Sequence, residues 1–351
     1  MSNLIHERPG VYSVYDTSAV VSGGSAVKKI GVAAKAASGE VNRPVTVTGF
    51  AAGVSAFGEG GGMSDLLRLL FANGAGVVSA VRVDEGGKLE DYQNAFAALE
   101  MLDVQIVVCD SSDAAVHQAL RSMVVDASAA RKERIAVVGG NGDSVQQLTE
   151  RASALNCERM VLVGPDVLDS SGKKISGVFA AAAAAGLIAS QKDPALPLNG
   201  AEIKGLSGVS ADYSDNDVDL LVRGGVTPLE CSGGVVSPVR GITTRTLSGG
   251  VQDSVWRELT SILIVDDIIP SVRNALRAKF ARSKNTARGR AAIRSQVIVE
   301  LEKKLAAEII DGYDQVAVSP SPDDPAVCLV EFGFSVAHGL NQIYLSVHIT
   351  V

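Results

Sequence analysis

The middle of the chain alternates short apolar segments with amphipathic ones, and this pattern restricts the possible folds more than any other feature. The pattern predicts strands at Val104–Cys109, Arg134–Val138 and Met160–Val163, and helices at Ala114–Val125, Ser144–Leu155 and Ser176–Ser190. Strands without a polar face, separated by helices, indicate βαβ units around a parallel sheet that is covered on both sides. Residues 191–240 are rich in Pro, Gly and Asp and predict loops with short strands. The sequence therefore predicts an outer α/β domain over residues 25–240.

The C-terminal third has a different character and predicts a smaller α+β domain over residues 241–338. We expect a strand at Arg257–Ile264 and a helix that begins at Asp266. A second helix, with Ile293, Val297 and further apolar residues at i+4 spacing, should end near Gly312 and carry an exposed Glu300–Lys304 pair. One continuous strand is then predicted at Val327–Val336.

Both ends of the chain predict extended arms, over residues 1–24 and 339–351. In the C-terminal arm, strict alternation places five apolar side chains on one face of a strand: Ile343, Leu345, Val347, Ile349 and Val351. The β-prone part of the N-terminal arm contains Pro9, Gly10, Val11, Tyr12, Val14 and Tyr15. An apolar strand face has to be covered, so the C-terminal strand should join a sheet of its own subunit or of a neighbour.

Composition excludes several classes of protein. The 351 residues carry a net charge of −7, whereas nucleic-acid-binding domains are usually basic. The sequence shows neither a secretory signal pattern nor an apolar segment long enough to span a membrane. The four cysteines predict reduced thiols within the core, and the four scattered histidines predict no metal site. We expect no cofactor, no nucleic acid and no membrane binding.

A glycine-rich loop offers the main alternative, an enzymatic function. Gly139–Asp143 follows an apolar strand and opens a helix, which is where α/β proteins bind anions. A cytosolic α/β enzyme or a nucleotide-binding protein could use this loop, although its spacing is not G-x-G-x-x-G. The loop Phe57–Gly62 lacks the Gly-Lys-Ser/Thr of a phosphate loop, and no catalytic Ser/His/Asp pattern is present.

Positive charges are concentrated between the two C-terminal helices, in what we call the basic run: Arg277, Lys279, Arg282, Lys284, Arg288 and Arg290. In an acidic chain such a run is either a solvated face or an electrostatic contact with another protein.

Several segments of the chain, in this order, resemble the contractile tail sheath proteins of phages and phage-tail-like particles. The segments are Arg8–Tyr12, Leu70–Val83, Leu196–Gly200, Gly225–Glu230, Gly233–Val235, Val239–Thr246, Trp256–Leu263, Asp266–Phe280, Ser283–Asn285 and Leu340–Gln342. Each segment alone is weak, but their common order is fairly specific. The resemblance covers most of the chain in pattern.

The resemblance implies a structural protein rather than an enzyme. It implies stacked six-fold rings of subunits around a tail tube, attached to baseplate and tail terminator proteins, that contract to drive the tube through a cell envelope. In that family both arms add strands to the C-terminal domains of neighbours, and this domain is the conserved inner one. The resemblance also implies synthesis in the host bacterial cytoplasm and release by lysis. It leaves open whether the particle is a phage, a bacteriocin or another injection device.

Overall fold

The computed structural model describes residues 28–341, which form two compact units. The larger unit contains residues 28–192, Leu196–Ile262 and 338–341, and the smaller unit contains Asp193–Ala195 and Leu263–Ala337. The predicted arm residues up to Tyr15, and those from Ile343 onward, lie outside the described residues. No helix among the described residues is both long enough and apolar enough to cross a bilayer.

Helices account for much of both units. In chain order they are α1 (Phe50–Phe57), α2 (Gly61–Ala72), α3 (Leu89–Glu100), α4 (Ala114–Ala129), α5 (Val145–Leu155), α6 (Gly177–Ser190), α7 (Asp215–Arg223), α8 (Leu259–Phe280) and α9 (Ala287–Ala306). Side-chain oxygens of Asp113, Ser144, Ser214 and Thr286 accept hydrogen bonds from the free backbone N–H groups at the starts of α4, α5, α7 and α9.

The strands of the larger unit come first in the chain. They are β1 (Ile30–Lys35), β2 (Pro44–Val47), β3 (Val78–Val83), β4 (Ile106–Cys109), β5 (Ile135–Gly139), β6 (Met160–Gly164), β7 (Val167–Asp169), β8 (Lys174–Ile175), β9 (Leu206–Val209), β10 (Val226–Ser232), β11 (Val235–Pro238), β12 (Leu247–Ser248) and β13 (Val251–Gln252). The smaller unit contains β14 (Ile310–Tyr313), β15 (Ala317–Pro320), β16 (Cys328–Glu331) and β17 (Phe334–Val336).

An eight-stranded sheet forms the centre of the larger unit, in the order β11-β10-β6-β5-β4-β1-β3-β2. The six inner strands run parallel, and the two edge strands β11 and β2 run antiparallel to their neighbours. All residues of β4, β5 and β6 are buried, as expected for a parallel sheet covered on both faces. The prediction of a mixed α/β fold with parallel strands is confirmed.

Helix α6 is buried on nearly all sides because its side chains are small. Its central run is Ala180–Ala185, and it packs against α2 and against strands β4, β5 and β6. At Gly186 an added Cβ atom would lie 2.7 Å from the carbonyl oxygen of Leu70. Glycine and alanine therefore allow α2 and α6 to approach closely on one face of the sheet.

The smaller unit has its own core between two helices and two short sheets. Ile264, Ile268 and Val272 of α8 pack against Val297 and Leu301 of α9. Half-buried side chains from the strands cover the same core, including Val318, Val330, Phe334 and Val336. Strands β14 and β17 form one antiparallel pair, and β15 and β16 form another.

Three sequence predictions in this third of the chain are wrong. Helix α8 begins at Leu259, so the predicted strand Arg257–Ile264 is mostly helical and Asp266 lies inside the helix. All residues of the run Leu259–Val265 except Thr260 are buried, and such a run shows no helical periodicity. Helix α9 is followed by Ala307 as its C-terminal cap, and Gly312 belongs to β14.

The predicted strand Val327–Val336 is in fact two strands with different partners, separated at Phe332 and Gly333. Glycine in a strand interior weakens the pairing, which allows the chain to change partner here.

The Glu300–Lys304 pair is also not the exposed pair that the helical pattern predicts. Glu300 is 7% exposed and Lys304 is 8% exposed. The Nζ atom of Lys304 lies 2.8 Å from a carboxylate oxygen of Asp267 on α8, and Glu300 accepts hydrogen bonds from Gln296 and Lys303. Charged groups buried in this way need such partners, and the Lys304–Asp267 pair ties the two helices together.

Candidate assembly surfaces

The carboxyl edge of the parallel sheet is the first place to look for a ligand site. Strand order reverses between β1 and β4, and α/β proteins usually bind ligands at such a point. Here the position is taken by the carboxylate of Asp110. It accepts hydrogen bonds from the backbone N–H of Lys35 at 2.9 Å and from the hydroxyl of Tyr92 at 2.6 Å. Burial raises the pKa of Asp110.

Asp110 also blocks the glycine-rich start of α2. A Cβ atom at Gly62 would lie 2.7 Å from a carboxylate oxygen of Asp110. A helix N-terminus attracts anions, and this one already has an internal carboxylate beside it. The loop Phe57–Gly62 therefore has an internal carboxylate where a phosphate would bind.

The Gly139–Asp143 loop is closed in the same way. Asp166, 6% exposed, accepts hydrogen bonds from the backbone N–H of Gly142 and from that of Gly177 at the start of α6, both at 2.8 Å. Asp143 accepts a hydrogen bond from the backbone N–H of Asn141 at 3.1 Å and pairs with Arg151 at 3.2 Å. The N–H groups that an anion would need are thus occupied by carboxylates of the chain itself.

Other chemistry-bearing residues of the described chain form no reactive cluster. Residues 28–341 contain no group of three or more His, Cys, Asp or Glu side chains placed to hold a metal ion. His117 is fully buried, and burial lowers its pKa to about 4. Cys109 and Cys157 are buried and unpaired, and burial raises the pKa of Cys109 to about 12 and raises that of Cys157 as well.

The smaller unit, in contrast, has strand edges with no partner. Each of its two sheets contains two strands within residues 28–341, so each strand has one side without a neighbouring strand in the described chain. A two-stranded sheet is marginal by itself and gains stability from further strands. Several of its apolar side chains remain exposed, with Val327 at 42% and Leu329 at 40%. These edges can accept an additional strand.

The basic run lies in the same unit and has no acidic partner there. Arg277 and Lys279 end α8, Arg282 and Lys284 lie in the connecting loop, and Arg288 and Arg290 begin α9. Lys279 donates a hydrogen bond to Gln296, and Arg290 donates one to Asn285 at 2.9 Å. Within the described residues no member of the basic run is within ion-pair distance of a carboxylate. All except Arg290 are exposed.

Comparison with known protein families decides between a ligand-binding site and an assembly surface. Residues 86–244 match the phage tail sheath protein central domain, and residues 251–350 match the phage tail sheath C-terminal domain. The chain belongs to the phage tail sheath family. The predicted resemblance is confirmed, and the alternative of an enzyme or nucleotide-binding protein finds no support.

Individual sheath proteins agree with this assignment. The tail sheath protein of Bacillus phage SP01 is 28% identical over 254 residues, which cover 70% of this chain. The chain spans only 43% of the length of that protein. The sheath tail protein of Desulfitobacterium hafniense has a similar fold, with a TM-score of 0.71 and 13% identity over 93% of this chain and 100% of that one.

A sheath in a known assembly state has the same fold. The contracted helical sheath of the anti-feeding prophage gives a TM-score of 0.71 at 14% identity, over 98% of this chain and 99% of that one. Both structural similarities, at such low identity, concern the fold.

Proposed function

We propose that this chain is the repeating subunit of a contractile tail sheath. In this proposal, copies polymerise as stacked six-fold rings around a tail tube, and the stack shortens to drive the tube through the envelope of a target cell. The observation that carries the proposal is the pair of two-stranded sheets with open edges, in the region that matches the C-terminal domain of the family. A surface of this kind suits a protein that is completed by other copies of itself.

The two arms are the proposed links between subunits. Strands formed by Pro9, Gly10, Val11, Tyr12, Val14 and Tyr15, and by Ile343, Leu345, Val347, Ile349 and Val351, would add to open sheet edges of neighbouring copies. Strand addition keeps the backbone hydrogen bonds of the added segment satisfied in every state of the lattice. Subunits linked in this way can rotate between two packings without losing their connection, so energy can be stored as the difference between the packings.

We place the smaller unit towards the tube and the larger unit outside. The larger unit has its own hydrophobic core. At the carboxyl edge of its sheet, Asp166 already accepts hydrogen bonds from the backbone N–H groups of Gly142 and Gly177, so this unit needs no partner for its fold. The basic run would contact the tube or an adjacent subunit, and the ends of the sheath would meet baseplate and tail terminator proteins. We expect the particle to be made in a bacterial cytoplasm and released by lysis, as part of a phage tail or a phage-tail-like particle.

Electron microscopy of the purified chain tests the central proposal. We expect rings or hollow tubes, alone or after addition of the matching tube protein. Discrete globular particles at every protein concentration, with and without the tube, would contradict it.

Surface labelling of intact extended particles tests the placement of the two units. Residues 104–190 should be modified before residues 257–311. Preferential labelling of the second range would reverse the placement.

A further inference from the structure

Charges of opposite sign are separated along the smaller unit. From Ile268 to Val299 every charged side chain is positive: Arg273, Arg277, Lys279, Arg282, Lys284, Arg288, Arg290 and Arg294. From Leu305 to Asn341 every Asp, Glu, Lys and Arg side chain is negative: Glu308, Asp311, Asp314, Asp323, Asp324 and Glu331. We call this second set the acidic run. Interspersed charges are usual on a protein surface, so this separation needs a reason.

Neither the six-residue basic run nor the acidic run forms ion pairs within the described chain. All six carboxylates of the acidic run are exposed, and none lies within ion-pair distance of a cation among residues 28–341. No member of the basic run lies within ion-pair distance of a carboxylate in the described chain either, and all except Arg290 are exposed. One small unit therefore presents both basic and acidic side chains that form no ion pair in the described chain.

The two runs remain unpaired although the fold fixes parts of them close together. The side chain of Asn285, between Lys284 and the start of α9, donates hydrogen bonds to the carbonyl oxygens of Pro325 at 2.8 Å and Val327 at 3.1 Å. The acidic turn with Asp323 and Asp324 is thus held beside the basic loop. Even so, Asp324 accepts a hydrogen bond from the backbone N–H of Ala326 at 2.7 Å and forms no ion pair with any of residues 28–341.

We propose that the basic run of one subunit binds the acidic run of a second copy of this chain. This inference rests on the proposed function, and it assigns the partner of the basic run as a neighbouring subunit rather than the tube. Complementary charge sets the register and the rate of association more than the affinity. A lattice that is linked by strands and guided by charges can assemble in one register and still rearrange.

Symmetry supports a second copy as the partner. A contact between two different surfaces of the same chain is heterologous, and repeating it produces rings or open helices. A unit that carries both a basic and an acidic run, neither of them ion-paired within the described chain, offers the two complementary sets of charges that such a contact requires. A tube contact, in contrast, would use the basic run and leave the acidic run without a function.

A charge-reversal experiment separates these possibilities. The basic variant carries Arg282→Glu, Lys284→Glu and Arg288→Glu, and the acidic variant carries Asp311→Lys, Asp323→Lys and Glu331→Lys. These side chains hold no hydrogen bond or ion pair within the described chain, so both variants should keep the thermal stability of the monomer. A control variant, Glu59→Lys, Asp126→Lys and Glu202→Lys, makes the same change in net charge as the acidic variant, at exposed positions of the larger unit.

The readout is the fraction of protein in sedimentable tubes at low salt, checked by electron microscopy. We expect each reversed variant to fall at least about tenfold below wild type and the control variant to match wild type. An equimolar mixture of the two reversed variants should recover assembly, because each negative surface then meets a positive surface on the other variant. Recovery in the mixture cannot arise from pairing within one subunit.

Three results would overturn the inference. Rescue only when all six changes are combined in one chain would show that the two runs act within a subunit. Loss of assembly in the basic variant alone, with the acidic variant normal, would assign the basic run to the tube. Equal loss in the control variant would show that net charge alone matters. A wild-type chain that forms no polymer would instead contradict the proposed function, and the inference would fall with it.

Discussion

Polar groups at the carboxyl edge of the large sheet have hydrogen-bond partners within the chain, whereas the strand edges of the smaller unit have no partner strand in the described residues. At the first, Asp110 and Asp166 occupy backbone N–H groups that a ligand would otherwise bind. At the second, strand edges and charged side chains remain without partners in the described chain. Burying a polar group without a hydrogen-bond partner costs free energy, whereas an exposed polar group can bind water until a partner replaces it. Folding alone completes the first region, whereas we propose that assembly completes the second.

The largest expected effect comes from removing the strand proposed to finish the open edges. Deletion of Asn341–Val351 should leave a soluble, folded monomer that forms no ordered sheath. The physical reason is the loss of an apolar strand face and of its backbone pairing with a neighbour. Electron microscopy and sedimentation measure the result. Contractile tubes formed by the truncated chain would show that the open edges are not completed in this way.

A second prediction tests whether the closed edge is as tightly packed as described. In Gly139→Ala the new Cβ atom would lie 2.0 Å from the carbonyl oxygen of Gly177. Since the atoms that the new methyl group would meet belong to the backbone of Gly177 and Val178 and cannot rotate away, we expect the free energy of unfolding to fall by about 3 kcal/mol. Urea denaturation of the monomer measures this change.

The matched control for that variant lies in the smaller unit. Gly312→Ala meets no atom within 4 Å, so it should change the free energy of unfolding by less than about 0.5 kcal/mol. Equal losses in both variants would remove the contrast between the two regions.

Acid should destabilise the larger unit through His117. Its pKa is lowered to about 4 in the folded chain, mainly by burial, against 6.5 for an ordinary histidine. The unfolded chain therefore binds more protons between these values, so stability is present above pH 6.5 and is lost as the pH falls towards 4. Asp113, Asp143 and Arg151 also act on this ring, with a smaller influence than burial.

The expected loss from this residue is at most about 3 kcal/mol between pH 6.5 and 4, from 1.36 kcal/mol for each pKa unit. Urea denaturation at several pH values should show a shallower dependence in His117→Gln than in wild type over this interval. An unchanged slope in the variant would show that other groups cause the acid sensitivity.

The smallest effect on folding is expected in the basic run, where substitutions should nevertheless impair assembly. Replacing Arg282, Lys284 and Arg288 with Gln should change the free energy of unfolding by less than about 0.5 kcal/mol, since none of the three side chains is paired in the described chain. Extended particles built from this variant should contract spontaneously or fail to form on tubes.

Salt should have the same effect on wild-type particles, because the Debye length falls from about 10 Å at 0.1 M to about 3 Å at 1 M. Micrographs over a salt series record both responses. Normal assembly together with an unchanged response to salt would return the basic run to a solvated face.

The sequence predicts the large sheet well because its strands are short and uniformly apolar. Strands β4, β5 and β6 begin and end within two residues of the predicted bounds. The prediction of secondary structure is wrong at the start of α8, because a run of residues that are nearly all buried shows no helical periodicity in its apolar positions. It also misses α7, although Ser214 and Asp217 form a capping box that signals a helix start.

One sequence signal marks the position of the closed edge. Asp110 and Asp166 follow apolar strands by one and two residues, at the position where parallel sheets bind their ligands. The sequence alone does not tell an acidic residue that binds a ligand from one that replaces it. Only the hydrogen bonds from the backbone of Lys35, Gly142 and Gly177 make that distinction.

The two buried cysteines have a consequence for the resistance of the protein to oxidation. Under the proposal of release by lysis, the sheath would pass from a reducing cytoplasm into an oxidising medium. Oxidants attack the thiolate form, and burial keeps Cys109 and Cys157 protonated and out of reach. The core thiols of each subunit should therefore resist oxidation.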